Sequence, residues 1–148
     1  MQEKINLALQ YFGSNYNCAQ SVFISLSQEL GVPHNDALAL TAGFGGGVAG
    51  TRQICGAVAG AVMAIGLKHF DNKEDITISK EHTKIIVQIF LNNFIEKFGS
   101  TTCKDLLLPD NEVVELSDEE ASLKKHQYCE RYVAEAVALA TKLADEMS

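Results

Sequence analysis

Apolar residues return every three or four positions from one end of this chain to the other, the period of an amphipathic helix rather than the alternation of a strand. Ile5, Ala8, Leu9 and Phe12 fall at i, i+3, i+4 and i+7, with Gly13 as the stop. A second stripe, Ala19, Val22, Phe23, Leu26 and Leu30, predicts a helix over 16–30, closed by Gly31 and Pro33. Shorter patterns predict helices over 35–42 and from Arg52 or Ile54 to about residue 70. Ser79 reads as the start of a long helix carrying Ile86, Ile89, Phe90, Phe94 and Phe98, closed by Gly99. A short helix over 102–107 stops at Pro109, and Ser117-Asp118-Glu119-Glu120 reads as a capping box opening the last one. That helix keeps one stripe for five turns, from Cys129 through Tyr132, Val133, Ala136, Val137, Ala140, Leu143 and Ala144 to Met147. One stretch interrupts this rhythm: GFGGGVAG, residues 43–50, has five glycines in eight positions and must be a loop. The expectation is an all-α fold, a compact bundle of six to seven helices with a glycine-rich loop, as a single domain over residues 1–148.

A chain of 148 residues with 47% hydrophobic content can bury roughly 68–70% of its unfolded surface without staples. Disulfides are therefore not required for folding, and the four cysteines need another reason to be present. Seven more acidic than basic residues argue against a nucleic-acid backbone or an anionic membrane as partner, since a basic patch is the usual footprint of both. The opening MQEKINLALQ lacks the basic-then-apolar order of a secretory signal. The least polar stretch, residues 54–67, is too short to cross a bilayer. No membrane insertion is expected, and the chain reads as cytoplasmic, in a reduced compartment where cysteines serve catalysis or metals more often than structure.

Cys18, Cys55 and Cys103 stand where helices should begin, each with cap-type or glycine residues just upstream. The first turn of a helix offers free N–H groups and the positive end of the dipole, both of which favour a thiolate. Arg52, three residues before Cys55, can face that sulfur and lower its pKa further. Cys129 differs, since its place on the apolar stripe of the last helix predicts that it points inward. His126, three residues earlier, is placed to join it as a metal ligand or to assist its deprotonation, though a solvated surface histidine fits the same position. His34, His69 and His82 show no such constellation. No C-x-x-C pair occurs, so any cluster of sulfurs must be assembled by the fold from four separate helices.

Gly56, Gly60 and Ala64 lie four apart and make a smooth strip on which another backbone can pack closely. Gly45, Gly47 and Gly50 fit G-x-G-x-x-G, but that fingerprint needs a strand before it and a βαβ unit around it. A Walker A loop would need Lys where Gly50 stands. The loop is expected to border the site and shape access to it, not to grip a nucleotide.

The Asn-Cys-Ala-Gln start at Cys18, the glycine loop leading to CGAVAG at Cys55, and the single Cys103 and Cys129 together resemble the C_GCAxxG_C_C family. This is a small group of bacterial and archaeal proteins described as redox-active. The resemblance spans residues 5–140, with a counterpart for every family cysteine; the departure is that this chain has Cys-Gly-Ala where the family name writes GCA. It implies an all-helical fold and a redox or metal role for the four sulfurs.

Three functions are carried forward. The first is thiol-based redox chemistry with Cys55 as the exposed nucleophile, Cys18 as its resolving partner, and Cys103 with Cys129 as a second pair, served by an unidentified redox partner. The second is a binding module in which the four sulfurs, with or without His126, hold zinc or an iron–sulfur cluster. The third is a helical interaction protein, homodimeric through the small-residue strip, with inert cysteines. Both sulfur readings require at least three of the four sulfurs to converge at one end of the bundle.

Overall fold

The computed structural model describes residues 1–107 and 117–147, and among them the chain forms seven α-helices and no sheet. These are α1 (Gln2–Phe12), α2 (Cys18–Ser27), α3 (His34–Thr41), α4 (Gly56–His69), α5 (Ile76–Phe98), α6 (Cys103–Leu107) and α7 (Asp118–Met147). Short 3-10 turns extend α2 over Gln28–Leu30 and follow α3 over Ala42–Phe44. No helix among the described residues is long and apolar enough to cross a membrane.

The bundle is built around α2 and α4, which pack on each other while α1, α5 and α7 close around them. The small-residue strip makes this possible. A Cβ at Gly60 would stand 2.7 Å from the Ala19 carbonyl oxygen and 3.2 Å from the Phe23 nitrogen, so only glycine admits the α2 backbone there. Both central helices are buried on most sides, which is why serines can stand inside α2. Ser21 and Ser25 return their hydroxyls to the Asn17 and Val22 carbonyls at 2.8 and 2.9 Å, so neither of these donors is left unmatched. Ile86, Phe90 and Phe94 of α5 and Val133, Ala136 and Val137 of α7 fill the remaining core. Full burial of each large side chain contributes about 1.5–3 kcal/mol.

Most helix ends fall where the periodicity places them, and the departures have local causes. The long helix begins at Ile76 instead of Ser79, because the Asp75 carboxylate accepts the Thr77 and Ile78 N–H groups at 3.0 and 3.3 Å. Ser79 is buried and accepts the Asp71 N–H at 2.7 Å, closing the preceding turn. The second helix begins at Cys18 instead of residue 16, with Asn17 as its cap. Ser117 accepts the Glu120 N–H at 3.2 Å, as a cap should, while Pro109 lies outside the described residues.

The largest departure is at α4, which starts at Gly56 and not at Arg52 or Ile54. Ile54 instead pairs with Thr102 in an isolated antiparallel bridge. Cys55 N–H donates to the Thr101 carbonyl at 2.8 Å, and Cys103 N–H donates to the Gln53 carbonyl at 2.6 Å. Two segments almost fifty residues apart are thereby clipped together just before each delivers a cysteine to a helix start.

Candidate functional site

All four cysteines line one cavity of about 310 Å³ at the end of the bundle where α2, α4 and α6 begin. Phe12, Leu106, Leu107 and Tyr132 form its apolar wall, and Gly46, Gly47 and Arg52 border it from the glycine loop. The convergence that both sulfur readings demanded is present. No bond joins the sulfurs, and all four are free thiols.

Each sulfur reaches the cavity by a different local device. Cys18 is the first residue of α2, fixed by a reciprocal cap: Asn17 Oδ1 accepts the Gln20 N–H at 2.8 Å and Gln20 Oε1 accepts the Asn17 N–H at 2.9 Å. Asn17 Nδ2 also donates to the Ala42 carbonyl at 3.2 Å, tying this cap to the entrance of the glycine loop. Cys55 caps α4 and Cys103 opens α6, each one residue beyond the bridge between Ile54 and Thr102. Cys129 comes from the middle of α7. Below it Tyr132 donates its hydroxyl to the Leu106 carbonyl at 2.6 Å, anchoring α6 on α7; burial pushes this phenol up to about 12.

The glycine loop is strained where it meets the site. Residues 46–50 all have positive φ, and Val48, Ala49 and Arg52 hold φ of 68°, 50° and 62° without being glycine. Such conformations cost of order 1–3 kcal/mol each and persist only where the surroundings impose them. Here the backbone bonds from Arg52 N–H to the Gly46 carbonyl (3.0 Å) and from Gln53 N–H to the Gly47 carbonyl (2.8 Å) do so. Gly47 has no alternative: a Cβ there would lie 2.7 Å from the Cβ of Cys103 and 2.6 Å from the Gln53 nitrogen. The outcome is that Arg52 turns into the cavity, its Nη1 3.8 Å from Cys103 Sγ.

The thiols divide sharply by acidity. Hydrogen bonding between the Cys18 and Cys129 sulfurs, together with burial, raises the Cys18 pKa well above the usual thiol value. The same hydrogen bond lowers Cys129, and the Arg52 charge lowers it further against the opposing effect of burial. Burial pushes Cys55 up to about 11, although the Val58 and Ala57 N–H groups at the start of α4 favour its anion. Cys55 is 6% exposed and Cys103 7%, whereas Cys18 and Cys129 are both partly exposed.

Cys55 is buried and not exposed, because the first turns of its helix are packed on all sides, and desolvation there outweighs the helix-start field. Cys129 lines the cavity, as its place on the apolar stripe predicts, but it is partly exposed there, and Cys18 and Arg52 favour its anion. Arg52 does act on a cavity thiol, but it lies beside Cys103 and lowers Cys129, not Cys55. Alkylation at rising pH should therefore label Cys129 first, below the free-thiol range near 8.5, and Cys55 only as the pH approaches about 11. Mass spectrometry of each cysteine peptide after brief exposure to iodoacetamide measures that order.

The metal reading finds no support among the described residues. Among the described residues no three of His, Cys, Asp and Glu are placed to hold one ion, as a shared centre with sulfurs near 2.3 Å would require. A guanidinium beside Cys103 is also the wrong neighbour for a bound cation. His126 lines the cavity, but its ring stacks on Phe12 at 4.6 Å and its Nε2 meets Glu130 Oε1 at 3.1 Å.

A family model described as "Putative redox-active protein (C_GCAxxG_C_C)" matches residues 16–143, which include all four cysteines. The chain belongs to the C_GCAxxG_C_C family. It is also 25% identical over 139 residues to an uncharacterized protein of Archaeoglobus fulgidus, covering 89% of this chain and 87% of that one. No solved structure matches it. In this member of the C_GCAxxG_C_C family, the cysteines that give the family its name are the walls of a single cavity.

Proposed function

We propose that the chain is a thiol–disulfide oxidoreductase whose working couple is Cys129 and Cys18. The observation that carries this reading is the pairing of one acidified thiol with one proton-holding thiol, in a cavity shared with two more sulfurs. Cys129, as thiolate, attacks one sulfur of a substrate disulfide; the S–S bond breaks, and the leaving thiolate takes up the proton Cys129 gave to solvent. A mixed disulfide now joins Cys129 to the other half of the substrate. With its hydrogen bond to the Cys129 anion gone, Cys18 loses the main cause of its raised pKa and ionises. It then attacks Cys129 Sγ, and the second half of the substrate leaves with the Cys18 proton. Two thiols of the protein are oxidised to one disulfide, and one substrate disulfide is reduced to two thiols. A reducing dithiol restores the starting state by the same exchange in reverse.

Arg52 stabilises the attacking anion, and the apolar wall limits water around it. Cys55 and Cys103 stand as the second pair of the same cavity. The reading is tested by mixing reduced protein, prepared without oxygen, with a small alkyl disulfide and counting thiols on both sides. Two of the four protein thiols should disappear, two substrate thiols should appear for each protein, and a chelator should leave the rate unchanged. Four thiols that survive a large excess of disulfide would refute it.

A further inference from the structure

We infer that the substrate this cavity takes is a small disulfide carrying negative charge, an inference that rests on the oxidoreductase reading above. The chain as a whole is acidic, with 19 Asp and Glu against 12 Lys and Arg. Its cavity has the opposite character. The ionisable groups lining it, apart from the thiols and the Tyr132 phenol, are Arg52, Lys125 and His126, and no carboxylate lines it among the described residues. His126 Nε2 is engaged by Glu130 Oε1 at 3.1 Å, so Arg52 and Lys125 set the sign of the field. The first turns of α2 and α4 open onto the same space and add the positive ends of their dipoles.

Such a field has a specific consequence for exchange chemistry. The attacking group is an anion, and an anionic disulfide would normally be repelled by it. Arg52 and Lys125 offset that repulsion, and a cavity that concentrates one sign of charge raises the encounter rate of the opposite sign by roughly 10–1000-fold at low salt. Size points the same way. A cavity of about 310 Å³ is at the small end of the range for compact ligands, about 300–1000 Å³. Cys129 and Cys18 are only partly exposed inside it, so a disulfide embedded in a folded protein is a poor fit, while one flanked by short carboxylate arms can enter.

The test uses three alkyl disulfides of similar length and opposite charge: dithiodipropionate, a dianion; hydroxyethyl disulfide, which is neutral; and cystamine, a dication. Each rate with the reduced protein is divided by its rate with a free small dithiol, which removes intrinsic reactivity. The dianion should exceed the dication by about tenfold or more at low salt, and the ratio should shrink severalfold in high salt. Lys125→Gln should shrink the ratio likewise. Equal normalised rates, or a preference for the dication, while exchange itself proceeds, would overturn the charge assignment and leave the oxidoreductase reading standing. Reaction with none of the three would sink the oxidoreductase reading itself. Faster reduction of a protein disulfide than of all three would overturn the small-substrate assignment.

Discussion

Replacing Cys129 with serine should abolish disulfide reduction, and replacing Cys18 with alanine should stop it halfway. The two losses differ in kind because the sulfurs do different work. Without Cys129 the couple loses its attacking sulfur: Cys18 keeps the rise that burial gives it and Cys55 ionises only near 11, so both are poor nucleophiles at neutral pH. The expected fall in rate is about 100-fold or more, since each pKa unit separating a thiol from the ambient pH removes about tenfold of its thiolate. In Cys18→Ala the first attack remains available, but no neighbour resolves the mixed disulfide, so half of the substrate should stay attached to Cys129. Intact mass spectrometry distinguishes the cases: an adduct on Cys18→Ala, none on Cys129→Ser. Adduct formation at Cys55 in either variant would contradict the assignment.

The second large effect is expected at Arg52. Arg52→Met keeps a side chain of similar length and leaves the positive-φ backbone in a non-glycine residue, but it removes the charge that lowers Cys129. The Cys129 pKa should rise and its reaction near neutral pH should slow accordingly, about tenfold for each unit by which a thiol's pKa lies above the ambient pH. The sign of the pH dependence separates this from general damage. If Arg52 acts through the thiolate, the variant should regain wild-type rate as the pH rises above the new pKa, because the anion then forms without help. Arg52→Lys, which restores a cation, should recover part of the loss at neutral pH. A variant equally impaired at every pH would instead show that Arg52 only props the loop, and the reading of its role would fail. The measurement is the rate of Cys129 alkylation from pH 6 to 10 in the three proteins.

Much of this molecule is legible in its sequence, and what is not has identifiable physical causes. The apolar stripes predict the helices because burial of one face is a local pattern, and Gly13, Gly31 and Gly99 mark the ends of the segments they close. The strip of Gly56, Gly60 and Ala64 foretells a close helix contact, which proves to be with α2. Three cysteines at helix starts are likewise readable. Asn17-x-x-Gln20 is a capping signature that was there to be found, and it fixes where Cys18 points. The bridge between Ile54 and Thr102 has no such signal, since it joins segments distant in the chain through backbone atoms alone.

The roles of the sulfurs are the least legible feature. A helix-start argument ranks thiols by the field of their own helix and so selects Cys55. In the folded chain the ranking is set across elements: by burial of α4 between its neighbours, by the hydrogen bond between Cys18 of α2 and Cys129 of α7, and by Arg52 reaching over from the glycine loop. Nothing within a few residues of Cys129 announces this. His126, its one suggestive neighbour, is engaged with Phe12 and Glu130. The all-round burial of α4 does leave a trace, in the unbroken small and apolar run from Cys55 to Ile65, and weighing that run more heavily than the helix dipole would have demoted Cys55.

The central claim is that Cys129 and Cys18 form the couple, and the most direct test is to map the bond that forms. Fully reduced protein is treated with one equivalent of a small disulfide, unreacted thiols are blocked in acid, and the digest is sequenced by mass spectrometry without reduction. The account predicts a single crosslinked pair of peptides, one containing Cys18 and the other Cys129, with Cys55 and Cys103 recovered as blocked thiols. A first-formed bond that includes Cys55, with Cys18 or Cys129 left free, would contradict it.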